Sequence, residues 1–160
     1  MNRWSPPLMV LKLLHQMAFQ RITRALKQTK KRRMSHRRSK FEIGVDIVSI
    51  DRIREILNSK YKKRFLARCF SRGERIEGSR LKRSAEYFAG RYALKEALIK
   101  LVSGRKGIRL SEISCTGRGK RPRLEFSGKT SMRFRGFEIS FSISHDRDYA
   151  IAVAIGRRTR

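Results

Sequence analysis

The sequence predicts an α+β domain behind a basic N-terminal extension, and three observations carry that expectation. Residues 41–48 are rich in β-formers, residues 49–101 repeat apolar side chains at helical spacing, and residues 110–155 return to alternating or continuous apolar runs. A strand, then helices, then a run of strands lacks the regular alternation of a doubly wound sheet. With 160 residues, 39% of them hydrophobic, the chain has room for one domain of ordinary size and an appendage.

The appendage is residues 1–40, which hold twelve Lys or Arg and no Asp or Glu. Leu8, Leu11, Leu14, Ala18, Ile22 and Leu26 repeat along one side of a helix, and Lys12, Arg21, Arg24 and Lys27 fall elsewhere round it. Such a basic amphipathic helix suits a transit peptide, an anchor on an anionic membrane or an acidic-partner binder. Met34 is an alternative start that would remove most of it. The domain is expected over 41–160. Forty-one Lys and Arg against 13 Asp and Glu give a net charge of +28, which implies an anionic partner. No apolar run approaches the length of a membrane span. His15, His36 and His145 are scattered and Cys69 and Cys115 stand alone, so no zinc site of usual spacing can be assembled. The cysteines read as free thiols.

Residues 49–58 form a helix with Ile50, Ile53, Ile56 and Leu57 inward and Arg52 and Arg54 outward. A second helix, 60–70, is expected to bury Phe65, Leu66, Cys69 and Phe70 while showing Lys60, Lys62, Lys63 and Arg64. Residues 71–84 are polar and broken by Gly73 and Gly78, giving a short helix at most. A helix over 88–101 follows, ended by Gly104 and Gly107. Strands are expected at 110–115, 123–126 and 136–144. A last strand lines Tyr149, Ile151, Val153 and Ile155 on one face, meeting Ile139, Phe141 and Ile143 across a turn at 145–148.

Two acids are out of place. Glu96 falls on the side of its helix that Phe88, Tyr92, Ala93 and Ile99 make largely apolar, and Asp46 lies inside an apolar strand. A carboxylate in such a place needs a cation or a proton. A salt bridge from Glu96 to Lys95 or Lys100 is one answer. A divalent cation shared with Asp46 is another, because Mg2+ is commonly held by two carboxylates with phosphate and water completing its shell. Lys100, one turn beyond Glu96, is placed to balance phosphate charge, or is a plain surface lysine. Arg91 and Lys95 read as part of a pyrophosphate-handling surface.

Three stretches resemble the signatures of the small holo-(acyl carrier protein) synthases, which are 4'-phosphopantetheinyl transferases. They are Ile43-Gly44-Val45-Asp46-Ile47, Phe88-Ala89-Gly90-Arg91-Tyr92-Ala93-Leu94-Lys95-Glu96-Ala97, and Ser142-Ile143-Ser144-His145-Asp146 with Asp148-Tyr149-Ala150. The resemblance covers about residues 41–156. It implies that family's fold, with helices packed on a mostly antiparallel sheet. It implies Mg2+-dependent transfer of the phosphopantetheine arm from coenzyme A to a serine of an apo carrier protein, releasing adenosine 3',5'-bisphosphate and supporting fatty acid biosynthesis.

By motif position the resemblance makes Asp46 and Glu96 the metal ligands and Glu96 and Lys100 the catalytic pair, with Glu96 taking the serine proton. Arg91, Tyr92, Lys100, Lys120, Pro122 and His145 would hold coenzyme A. Arg52, with Lys60, Lys62 and Lys63 extending its patch, would receive the acidic carrier protein. The resemblance also implies a homotrimer and a cytoplasmic location, or an organellar one if residues 1–40 are a transit segment. The chain departs from the pattern at 102–107, where Val-Ser-Gly-Arg-Lys-Gly replaces the usual Gly-Thr-Gly type of loop. It departs again at Arg121, which separates Lys120 from Pro122, in a helix shortened to about 129–135, and in the extension. The competing readings are a nucleic-acid-binding protein using the 1–40 arm, with no nucleic acid expected on the core, and a degenerate transferase kept as a binding module.

Overall fold

The computed structural model describes residues 41–117 and 122–159. The expectations for the 1–40 extension and for Lys120 lie outside the described residues.

Strand β1, Phe41–Ser49, runs into helix α1, Ile50–Asn58, whose N-terminus is capped by the Ser49 hydroxyl accepting from the Arg52 amide at 3.3 Å. Helix α2 is Lys62–Cys69, and α3 is Arg72–Ser79. The long helix α4, Ser84–Leu101, is followed by β2, Ile113–Thr116, and β3, Arg123–Phe126. The short helix α5, Ser131–Phe134, precedes β4, Phe137–Asp146, and β5, Tyr149–Arg158. Strands β1, β5 and β4 form one antiparallel sheet in that order, and β2 pairs with β3 in a second. The α+β expectation holds.

The short helix expected over 71–84 is present as two turns, started by the reciprocal capping box of Ser71 and Glu74. Other local readings change. Helix α2 buries none of its own residues; Phe65, Leu66 and Cys69 are half-buried and only Phe70, just past its end, is buried. Residues 110–112 form a 3-10 turn before β2 starts. Strand β4 continues through His145 and Asp146, which leaves only Arg147 and Asp148 for the turn.

The last strand also faces the other way from the expectation. The side of β5 turned to α4 carries Ala150, Ala152, Ala154 and Gly156, the alanines fully buried, while Tyr149, Ile151 and Ile155 are exposed. Ile139, Phe141 and Ile143 of β4 pair with Gly156, Ala154 and Ala152 and so share the inner face. Small residues let α4 lie close to the sheet. At Gly44 of β1 the approach is closest, since a Cβ there would overlap the Ala97 carbonyl oxygen. This contact sets β1 beside the second half of α4, and with it Asp46 beside Lys100.

Candidate active site on the open stripe of α4

Helix α4 is apolar on nearly every side. Beyond its first turn all of its residues are buried except Tyr92, Glu96 and Lys100. These are spaced by four, so they form one stripe along the helix, which is its only open one there. Glu96 therefore does not sit on the apolar side, as its neighbours in sequence suggested. It projects from the one line that the fold leaves uncovered.

Two cations meet the two out-of-place carboxylates. Lys100 Nζ donates to Asp46 Oδ1 at 2.8 Å and to the Val45 carbonyl at 2.8 Å. Glu96 Oε1 accepts from Arg105 Nη2 at 3.3 Å, so neither lysine expected beside Glu96 is its partner. Tyr92, one turn earlier, has its phenol pushed above the usual value, first by burial and then by the Glu96 charge.

Lys95 corrects the reading of a pyrophosphate surface. It is fully buried, and its Nζ meets Glu74 Oε2 at 2.7 Å and the carbonyls of Cys69, Leu110 and Ile113 at 2.7, 2.8 and 2.6 Å. Burial pulls the ammonium below its ordinary value, and Glu74 opposes this. Glu74 also accepts from the Cys115 amide at 3.1 Å and caps α3, so one buried pair ties α4 to α3 and β2. Nothing in the polar run around Glu74 marked it as the partner of a lysine 21 residues on.

Arg91 is buried too. Its Nη2 donates to the Gly117 carbonyl at 2.8 Å, its guanidinium lies over the Tyr87 ring, and its Nε has no partner among the described residues. Pro122 lies just past the undescribed segment, near Gly117. His145, on the inner face at the end of β4, packs on Gly90, where a Cβ would come within 2.6 Å of its Nε2. That nitrogen lies 3.0 Å from the Glu86 carbonyl, which only accepts, so Nε2 carries the proton of this contact. Around it is a recess of about 550 Å³ that also takes in Arg80, Lys82 and Arg83, cations that no sequence motif marked.

A larger cleft, of about 910 Å³, opens between α2 and residues 105–111. Its floor holds Ile56, Phe65 and Leu110, and its walls hold Arg64, Arg68, Arg105 and Arg109. Arg52, Lys60, Lys62 and Lys63 are exposed on α1 and around the start of α2, outside its lining.

This arrangement of one open helical stripe, a facing strand acid and two basic recesses coincides with a family match. The model of the 4'-phosphopantetheinyl transferase superfamily matches residues 42–154. The chain belongs to that superfamily. Within it, the chain is 35% identical over 115 residues to the holo-[acyl-carrier-protein] synthase of Myxococcus xanthus, covering 71% of this chain and 91% of that one. It is 41% identical over 118 residues to the synthase of Chlorobium limicola, with 71% and 91% covered. Among solved structures, the Helicobacter pylori holo-[acyl-carrier-protein] synthase in complex with coenzyme A superposes with a TM-score of 0.61 at 34% identity, covering 71% of this chain and 98% of that one. For a phosphopantetheinyl transferase, the donor set at the stripe is apt: Asp46 and Glu96 offer hard carboxylate oxygens, both partly open to solvent and both already attracting cations. Among the described residues no group of three or more His, Cys, Asp or Glu is placed to hold a metal, so an ion here would take its remaining ligands from water and substrate.

Proposed function

We propose that this transferase moves the 4'-phosphopantetheine group of coenzyme A to a serine of an apo-acyl carrier protein, with Mg2+ bound by Asp46 and Glu96, in support of fatty acid biosynthesis. The observation that carries the reading is the open stripe of Tyr92, Glu96 and Lys100 facing Asp46 in an otherwise buried helix. The serine oxygen attacks the phosphorus that bears the pantetheine arm, its bond to the remaining phosphate breaks, and adenosine 3',5'-bisphosphate leaves. Glu96 takes the proton from the serine hydroxyl. Lys100, already delivered to this spot by Asp46 and the Val45 carbonyl, turns its ammonium to the leaving phosphate. When bound, Mg2+ supplies charge neutralisation at the pyrophosphate.

The recess at His145 suits the nucleotide end of coenzyme A, since Arg80, Lys82 and Arg83 offer charge for its phosphates and Tyr87 an aromatic edge. By the family resemblance Arg91, whose Nε has no partner among the described residues, Pro122 and Lys120 would also contact coenzyme A. The arginine-lined cleft and the exposed Arg52, Lys60, Lys62 and Lys63 give an acidic carrier protein a surface of opposite sign.

The outer face of the three-stranded sheet is read as the contact between copies in a homotrimer. Ile43, Val45 and Ile47 of β1 and Tyr149, Ile151 and Ile155 of β5 stand exposed on it side by side. No helix among the described residues is long and apolar enough to cross a membrane. A cytoplasmic site of action is proposed from the family resemblance.

Incubation of the protein with coenzyme A, Mg2+ and an apo-acyl carrier protein tests the activity, with intact mass spectrometry of the carrier as the readout. Addition of one phosphopantetheine arm, lost with Glu96→Gln, is the expected result. An unmodified carrier with the unaltered protein would overturn the assignment.

A further inference from the structure

Arg105 lies in the segment where this chain departs from the family pattern, and its guanidinium reaches back nine residues to Glu96. The turn that carries it is held at both ends: the amides of Ser103 and Gly104 donate to the carbonyls of Lys100 and Ile99, and the amide of buried Ile108 donates to the Arg105 carbonyl at 3.0 Å. Ser103, Gly104 and Gly107 all have positive φ, at 59°, 129° and 77°, and a Cβ at either glycine would meet nothing within 4 Å. Arg105, Lys106 and Gly107 are exposed between these ends, which leaves the long Arg105 side chain room to change rotamer while its backbone stays in place.

Three ion pairs made by the second half of α4 and the turn after it differ in grip. Lys95 to Glu74 is 2.7 Å with both side chains fully buried, and Lys100 to Asp46 is 2.8 Å. Arg105 to Glu96 is 3.3 Å, longer than a tight charge-assisted bond, and the Arg105 side chain is 57% exposed against 22% for Glu96. It is the loosest of the three. It also sits on the acid whose other proposed ligand is a divalent ion, and one carboxylate cannot neutralise a guanidinium and a dication at the same oxygen without their mutual repulsion being felt. The same arginine lines the cleft with Arg64, Arg68 and Arg109, so leaving Glu96 adds a cation to that cleft.

We infer that Arg105 is a tethered competitor of the divalent cation at Glu96, displaced from the carboxylate as the ion binds and then available to anionic ligands in the cleft. The inference rests on the proposed placement of the ion on Asp46 and Glu96. Coupling of this kind is reciprocal: an anion that draws Arg105 into the cleft tightens the ion by the factor by which the ion tightens the anion.

The test is Mn2+ binding to the full chain without substrates, followed by electron paramagnetic resonance or calorimetry, which reads the site independently of turnover. Removing an exposed pair of this type corresponds to a change of about two- to fivefold, so Arg105→Ala is expected to bind Mn2+ more tightly by about that factor. Arg105→Lys, which keeps the charge and loses the planar fork, falls between it and the unaltered protein. Arg109→Ala removes a charge from the same cleft wall without touching Glu96, and its Mn2+ affinity stays as in the unaltered protein. Glu96→Gln loses the ion. An Arg105→Ala affinity no tighter than the original overturns the inference, as does an equal gain in Arg109→Ala, which would make the effect one of general field. Retention of Mn2+ by Glu96→Gln overturns the metal placement itself and the inference with it. Loss in Glu96→Gln with no gain in Arg105→Ala overturns the inference alone.

Discussion

Lys95 and Glu96 are neighbours in sequence with opposite fates. One successive step round a helix turns Lys95 into the interior, where Glu74 and three carbonyls hold it, and Glu96 onto the open stripe. Lys95→Met leaves the Glu74 carboxylate buried without its cation, and urea unfolding is expected to register a loss of about 3 to 5 kcal/mol. Lys100→Ala is the contrasting case. Its pair with Asp46 is half exposed, so stability changes by about 1 kcal/mol or less, while steady-state kinetics lose about 100-fold in kcat if its ammonium meets the leaving phosphate. Cys115 gives a pH signature. Its thiol ionises near 9.0 when unfolded and is pushed up to about 11 by burial in the fold. Between those values the unfolded state binds fewer protons, so stability falls as pH rises, by about 2 to 3 kcal/mol from this group alone. Denaturation of the unaltered protein and of Cys115→Ala at pH 8 and pH 11 should show the two converging by that amount. Asp46, Glu96 and Lys100 drew notice in the sequence as charges among apolar neighbours, but the reason given for Glu96 was wrong: the fold leaves its side of the helix open. The burial of Lys95 was not legible, because its partner lies in a polar run where nothing distinguishes a buried glutamate from a solvated one.

At the scale of elements, the closeness of α4 to the sheet decides whether Asp46 and Glu96 can act together. Gly44→Ala puts a methyl into the Ala97 carbonyl, and helix and strand must part to admit it. A loss of about 1 to 3 kcal/mol in stability is expected, read from thermal unfolding, together with weaker Mn2+ binding because Asp46 recedes from the stripe. The order of elements was readable from hydrophobic period alone. The facing of β5 was not, because alternating Ala and Ile is a valid period-2 pattern in either orientation, and intuition gives the larger residues to the core. The reverse holds here since Ala150, Ala152 and Ala154 make room for a helix. The short helix expected over 71–84 is found as the two-turn α3, and its start is fixed by the Ser71 and Glu74 capping box despite Gly73 and Gly78.

For the whole molecule, the proposed function gives charge the encounter with the carrier protein, and the proposed trimer gives the outer sheet face its contact. With a net charge of +28, kcat/KM toward an acidic carrier is expected to fall about tenfold or more between low and high salt, chiefly through KM, and reversal of charge at Lys62 and Arg64 should flatten that dependence. Placing a charge on the outer face, as in Ile43→Asp, should shift sedimentation toward the single chain. The same face has a thermodynamic corollary. Among the described residues the sheet of β1, β5 and β4 has a helix on one side only, and in the proposed trimer a neighbouring copy would cover the exposed apolar side chains of the other. Under that proposal dilution works as a denaturant, and the unfolding midpoint should climb with protein concentration.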